Sequence, residues 1–254
     1  MVIIRVIGGL GNQFFQYAYA LKIKELGYDV KLDLKYLKKS GGVVFLKYFQ
    51  SSIREEKNQV ILSIYRALSF FFNNKFYLKG YWQNAKYFPN EDLLKEELSL
   101  KFKKSDYCKK MISEIKQSNS VSLHIRRGDY LTIDNKKIYY NLSNDYYNNA
   151  ISLIMSKVSS PIFYIFSNDI EWAKNNFTLN NAIFIENNSE NKDIEEFYLM
   201  SNCKFNIIAN STFSWWAAYL NTFKKKIVVG PKKWFIEPNK FEDFDYRAQN
   251  LIFI

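Results

Sequence analysis

His124, Arg126, Arg127 and Asp129 fall within residues 122–130, and their types and spacing suit the binding of an anion. Val121, Leu123 and Ile125 alternate with Ser122, His124 and Arg126, the period-two pattern of a strand, and Gly128 ends it. His124 is the only histidine of 254 residues, and alternation puts it on the same strand face as Arg126. In open α/β sheets ligands bind beyond the carboxyl ends of strands, so paired arginines at such an end suit a phosphate. A hydrogen-bonded core histidine and a solvated turn with an internal ion pair are the competing assignments.

Other strand ends carry further candidates. Residues 2–7 read as a buried strand that runs through Gly8, Gly9, Gly11 and Asn12 into a helix bearing Phe14, Ala18 and Leu21 on one face, with Gly27 as its stop. Residues 30–34 complete a βαβ unit. Glycines allow close backbone approach to a ligand, and the helix start offers unpaired N–H groups to negative charge. Gly9, Gly11 and Asp33 also imitate a dinucleotide fingerprint, but Phe14 stands where its third glycine belongs, and no Gly-Lys-Ser/Thr supports a P-loop.

Residues 58–73 read as a helix and 75–79 as a strand leading into Gly80, Tyr81, Trp82 and Gln83, a composition suited to stacking on and hydrogen-bonding a sugar. Helices are expected over 91–98, 106–116 and 144–157. The strand at 161–166 empties into Ser167, Asn168 and Asp169, where the carboxylate can cap the next helix or accept N–H donors from a guanine edge. A short strand at 182–185 and a helix at 193–202 follow, and the strand at 203–209 runs into Asn210, Ser211, Thr212 and Ser214. Those hydroxyls cluster at a helix start, more of them than one cap requires. A strand at 226–230 is the last clear one, and residues 251–254 read as a packed tail.

Composition narrows the class. Hydrophobic residues make up 48% of the chain, enough for a sizeable core. The longest apolar stretch, 60–72, is interrupted by Arg66 and falls short of the roughly 20 residues that span a bilayer. The first residues enter a strand directly, without a leader pattern, so a cytoplasmic protein is expected. Cys108 and Cys203 have no metal-site spacing and read as buried thiols. The charge of +11 is spread along the chain with no basic tail, which disfavours a nucleic-acid binder and leaves room for anionic small molecules or an anionic membrane surface. Asp243 and Asp245 imitate a metal-binding DxD but sit in a polar stretch read as a surface turn.

The segments Gly8 to Gln13, Gly80 to Gln83, His124 to Tyr130, Phe166 to Asp169, Leu199 to Ser201 and Asn210 to Ala217 together resemble the bacterial α-1,2-fucosyltransferases of glycosyltransferase family 11. The resemblance implies a GT-B-like α/β enzyme with two Rossmann-type halves facing across a cleft. Residues 1–118 would form the acceptor-side half and 119–254 the GDP-fucose half, the boundary resting on the polar run at 116–120. It also implies transfer of L-fucose from GDP-β-L-fucose to a galactose 2-hydroxyl with inversion, no resident cofactor and no obligatory metal.

On matching positions the resemblance places Arg126 at the β-phosphate, with Arg127 beside it, and His124 and Asp169 at guanosine. Ser211, Thr212 and Ser214 would hold the phosphates, and Gly11 and Asn12 would close on the donor's sugar side. Tyr81, Trp82 and Gln83 are the acceptor-side candidates. Asp129 is the candidate base, although an adjacent arginine lowers a carboxylate's pKa and suits it better to orienting Arg126 or Arg127. Rival readings are a same-fold transferase using another nucleotide sugar, a nicotinamide dehydrogenase, and a non-catalytic glycan- or nucleic-acid-binding module. Bacterial enzymes of this kind commonly work at the inner face of the plasma membrane, so peripheral contact there is a further expectation.

Overall fold

The computed structural model describes residues 1–40, 44–71, 75–237, 245 and 251–254. Two compact units divide the chain, one built on Met1–Phe102 and the other beginning at Lys103. In the first unit the elements run β1 (Val2–Arg5), α1 (Leu10–Glu25), β2 (Val30–Asp33), α2 (Lys35–Lys39), α3 (Gln59–Phe71), β3 (Tyr77–Leu78) and α4 (Glu91–Glu97). All strand pairs are parallel, in the order β2-β1-β3, with Ile3 opposite both Lys31 and Tyr77. A parallel β1-α1-β2 crossover needs α1 on the sheet, and α1 buries Phe14, Phe15, Tyr17, Ala18 and Leu21 accordingly.

The second unit runs α5 (Asp106–Gln117), β4 (Asn119–Ile125), α6 (Asn144–Lys157), β5 (Pro161–Ser167), α7 (Ile170–Asn176), β6 (Ala182–Phe184), α8 (Lys192–Asn202), β7 (Phe205–Ile207), α9 (Thr212–Leu220), β8 (Val228–Gly230) and β9 (Leu251–Phe253). Its strands are all parallel in the order β6-β5-β4-β7-β8-β9. Counted from β4 this is the doubly wound order 3-2-1-4-5-6, and its direction reverses between β4 and β7.

Val121, Leu123 and Ile125 of β4 pack with Phe163, Ile165 and Ile207 and with Tyr147, Ala150 and Ile154 of α6. The alternate face of β4 is buried too: Ser122 Oγ accepts a 2.7 Å bond from Asn206 Nδ2, and His124 is only 4% exposed. A parallel sheet covered on both faces leaves no wet side, which is why the polar half of the alternation lies inside.

Three expectations change. The division falls at Lys103 rather than at 119, because α5 belongs to the second unit: Glu195 of α8 accepts bonds from Ser105 N (2.6 Å) and Ser105 Oγ (2.8 Å) at the α5 start, and Cys108, Met111 and Ile115 are buried. The tail at 251–254 supplies the edge strand β9, paired in register with β8. The strand expected over 75–79 is only Tyr77–Leu78.

Candidate functional site

In the second unit the site is built where the strand order reverses. β4 and β7 are neighbours, Leu123 opposite Ile207, and a few residues past their carboxyl ends lie the arginine turn and the start of α9. Tyr130 ties the two together: its hydroxyl donates to the Asn210 carbonyl at 3.1 Å, and its ring stacks on Tyr139 at 4.2 Å. Asn210 Nδ2 in turn donates to the Tyr140 and Trp234 carbonyls at 2.7 and 2.9 Å.

The two arginines have different surroundings. Arg126 Nη2 donates to Asp129 Oδ2 at 2.8 Å, and its guanidinium lies 5.5 Å from the Tyr130 ring centroid. Arg127 lies 3.7 Å over Trp172 and 3.8 Å from Asp169 Oδ2. Both arginines lie past the end of β4, in the turn, which sends one toward Tyr130 and the other toward Trp172 of α7. The pair expected to converge on one anion is divided, and Arg126 is the more exposed, at 31% against 19% for Arg127.

Asp129 has both oxygens engaged, the second accepting from Asn168 Nδ2 at 3.3 Å. Asn168 Oδ1 also accepts from Arg127 N at 2.9 Å, so one side chain after β5 braces the whole turn after β4. Asn168 was legible only as part of a strand-end polar cluster, and nothing local told that it would brace the neighbouring turn. Asp169 caps α7 by accepting from Trp172 N at 3.3 Å, the capping role of the two open to it.

His124 sits beneath the turn with its ring 5.9 Å from that of Phe213. Burial, and then the neighbouring Arg126 charge, push its pKa down to about 3, so the imidazole is neutral. The histidine expected at guanosine is a buried ring. Ser211 precedes α9 without giving its helix a side-chain cap, and Ser214 Oγ turns back to donate to the Ser211 carbonyl at 3.3 Å. With no acidic residue in its first turn, α9 presents a helix start suited to an anion. Thr212, at its first position, is half-buried.

The first unit gathers its own candidates. α1 starts after Gly9 with neither a side-chain cap nor an acid in its first turn. Gly8 has φ +82°, and a Cβ there would meet Asn12 Nδ2 at 2.8 Å, so the turn requires glycine. Asn12 Oδ1 accepts from Gln83 Nε2 at 2.7 Å, bringing the glycine turn and the segment after β3 together. Gly11 is buried within the first turn. Trp82, at φ +49°, stacks on Tyr19 at 4.5 Å, and Tyr81 is 44% exposed.

Asp33 has no free oxygen for a ribose. It is fully buried, accepting from Arg66 Nη2 at 2.6 Å, from the Tyr77 hydroxyl and from Lys35 N, and these bonds hold its carboxyl below the usual range despite burial. The dinucleotide reading loses its acid. Asp243 lies outside the described residues, while Asp245 N donates to the Gln83 carbonyl at 2.9 Å. Among the described residues no group of three or more His, Cys, Asp or Glu is placed to hold a metal ion.

Comparison with known proteins puts these features in a family context. The family model described as Glycosyl transferase family 11 matches residues 30–250. An Alpha-1,2-colitosyltransferase of Escherichia coli is 33% identical over 96% of this chain and 96% of its own length. The O-antigen biosynthesis glycosyltransferase WbnK of Escherichia coli is 44% identical over 59% of this chain and 48% of its own. Galactoside alpha-(1,2)-fucosyltransferase 2 of Mus musculus is 33% identical over 41% and 30%. Among solved structures, NodZ alpha-1,6-fucosyltransferase soaked with GDP-fucose superposes with a TM-score of 0.51 at 12% identity, covering 86% of this chain and 92% of its own. A mutant of Arabidopsis thaliana FUT1 in complex with GDP gives 0.51 at 11% identity, covering 89% and 69%. The two parallel-sheet α/β halves are thus of the GT-B type.

Proposed function

The chain belongs to glycosyl transferase family 11, and from that premise we propose that it is an inverting α-1,2-glycosyltransferase moving L-fucose from GDP-β-L-fucose to the 2-hydroxyl of a galactoside in a glycan precursor, without a metal. The observation that carries the reading is that Tyr130, lying against Arg126, ties the arginine turn to the residues leading into α9 at the β4/β7 reversal. Breaking a sugar-diphosphate bond develops charge on the leaving phosphate oxygen. A fixed guanidinium and a helix N-terminus stabilise that charge without reorganising.

In this reading Arg126 faces the β-phosphate and Asp129 holds it there. Arg127, stacked on Trp172, keeps the local potential positive behind it. Ser211 and the first N–H groups of α9 take the remaining phosphate oxygens, with Thr212 and Ser214 around them. Neutral His124 supports the floor of the nucleoside site through Phe213, and Asp169 fixes α7 beside it. Asn12 and Gln83 form the polar part of the sugar-facing surface in the first unit, with Tyr81 free to stack on the acceptor.

The colitosyltransferase relative favours a second donor, GDP-colitose, whose sugar is L-fucose without its 3-hydroxyl. The test is transfer to a galactoside from GDP-L-fucose and from GDP-colitose, with EDTA present. Removing one charge-stabilising donor costs about 2.7–4 kcal/mol, so Arg126→Ala should lower kcat about a hundredfold or more. Turnover that requires a divalent ion, or that survives Arg126→Ala, overturns the reading. A marked preference for GDP-colitose replaces fucose as the donor sugar and leaves the mechanism standing.

A further inference from the structure

Helix α3 carries apolar residues on two opposite faces. Leu62 packs against Ile3 and Tyr77 with Tyr65 beside it, and Ser69 on the same side is buried. On the far side Val60, Ile64, Ala67 and Phe71 follow the i, i+4, i+7, i+11 spacing of one helix stripe, and all four are exposed. Val60 is 67%, Ile64 50% and Phe71 77% exposed, and Phe70 beside them is 85% exposed. A helix that is the outer layer of an α/β unit normally shows water a charged face. Here the helix's one charged side chain, Arg66, is drawn inward to Asp33.

The charge of the segment that carries the stripe has one sign. From residue 57 to residue 90 the chain contains no Asp or Glu, while Lys57, Lys75, Lys79 and Lys86 are all exposed. Lys57 lies two residues before α3 and Lys75 follows it by a few residues, so cations flank the helix at both ends. The acids just before the helix are engaged: Glu55 pairs with Lys38, and Glu56 accepts from Asn58 N.

We infer that α3 is an interfacial anchor, which lays its Val60-Ile64-Phe71 stripe and Phe70 into the headgroup boundary of an anionic membrane while the flanking lysines meet lipid phosphates. Exposed apolar side chains flanked along the chain by cations are what such an interface takes up. At 13 residues α3 is about 20 Å long and lies on a bilayer rather than crossing it, and no helix among the described residues is long and apolar enough to cross. The purely apolar partner, a second copy of this chain, would bring an equal set of lysines against these, which charge repulsion opposes. This inference goes beyond the transfer reaction and does not depend on the donor.

The test is co-sedimentation with vesicles of phosphatidylcholine alone and with phosphatidylglycerol added, for the full chain and two paired variants. Phe70→Glu with Phe71→Glu alters the stripe. Leu26→Glu with Tyr28→Glu makes the same charge change at exposed apolar residues elsewhere on the first unit. Thermal melts by circular dichroism verify that both variants fold. Binding is expected only to the anionic vesicles, weakened roughly tenfold or more by the α3 pair and much less by the other pair. Lys57→Ala, which removes one positive charge, should weaken it about fivefold on its own. No binding by the unaltered chain, or equal loss in both paired variants, overturns the proposal. So does a concentration-dependent dimer that the α3 pair abolishes, which gives the face to a second copy.

Discussion

Replacing Asp129 by Asn separates an orienting carboxylate from a catalytic base. The Arg126–Asp129 pair is 2.8 Å long with side chains 31% and 49% exposed, so solvent screens it and the charge contributes about 0.2–1 kcal/mol. Asn keeps an oxygen for Arg126 Nη2, and beyond the charge it gives up only the long, exposed 3.3 Å bond from Asn168 Nδ2. The expected loss in kcat/KM is therefore about fivefold at most, and it should fall mainly on donor KM. A general base would behave differently, since removing one costs roughly a hundredfold to ten-thousandfold in the chemical step. Steady-state transfer from GDP-L-fucose at saturating acceptor, measured across pH, distinguishes the two. A fall in kcat of a hundredfold or more, together with loss of the acid limb of the pH profile, would refute the orienting role and make Asp129 the base.

His124 should make stability pH-dependent. Its folded pKa of about 3 lies below the unfolded value of 6.5, so the unfolded chain binds the extra proton, and stability is whole above pH 6.5 and lost as pH falls toward 3. Between pH 6.5 and 5 the loss is about 2 kcal/mol, which His124→Gln should remove when urea midpoints of the two proteins are compared at both pH values. Equal slopes would mean that the imidazole is not buried neutral. Asp33→Ala strands Arg66 and should cost about 3–5 kcal/mol in chemical denaturation while leaving GDP titration unchanged where the protein is folded. Loss of nucleotide affinity in the folded variant would restore Asp33 to a ligand role.

Much of the site was legible because its signals are local. The alternation of Val121, Leu123 and Ile125, the stop at Gly128, the glycine turn at residues 8–11 and the hydroxyl cluster at 211–214 depend on neighbours a few residues away, and β4, α1 and α9 formed there. The capping role of Asp169 is of the same kind. The family resemblance added the ligand that these strand ends were expected to hold, and the matching relatives fit it at the level of an α-1,2-glycosyltransferase.

Residues far apart in sequence decided the rest. Asp33 meets Arg66 of α3, which removes the acid on which a dinucleotide reading leaned. Asn168 braces the turn of Arg126 and Arg127 from another strand, and the arginines part because α7 offers Trp172 to one and the turn offers Tyr130 to the other. His124 is buried because helices cover both faces of the sheet, a fact that alternation in one strand cannot carry. The sequence by itself determined where strands end and which side chains they deliver, since backbone period and turn chemistry act over a few residues. Only tertiary structure decided which strand ends lie side by side and which charges are already paired, since packing brings together residues whose separation leaves no local trace.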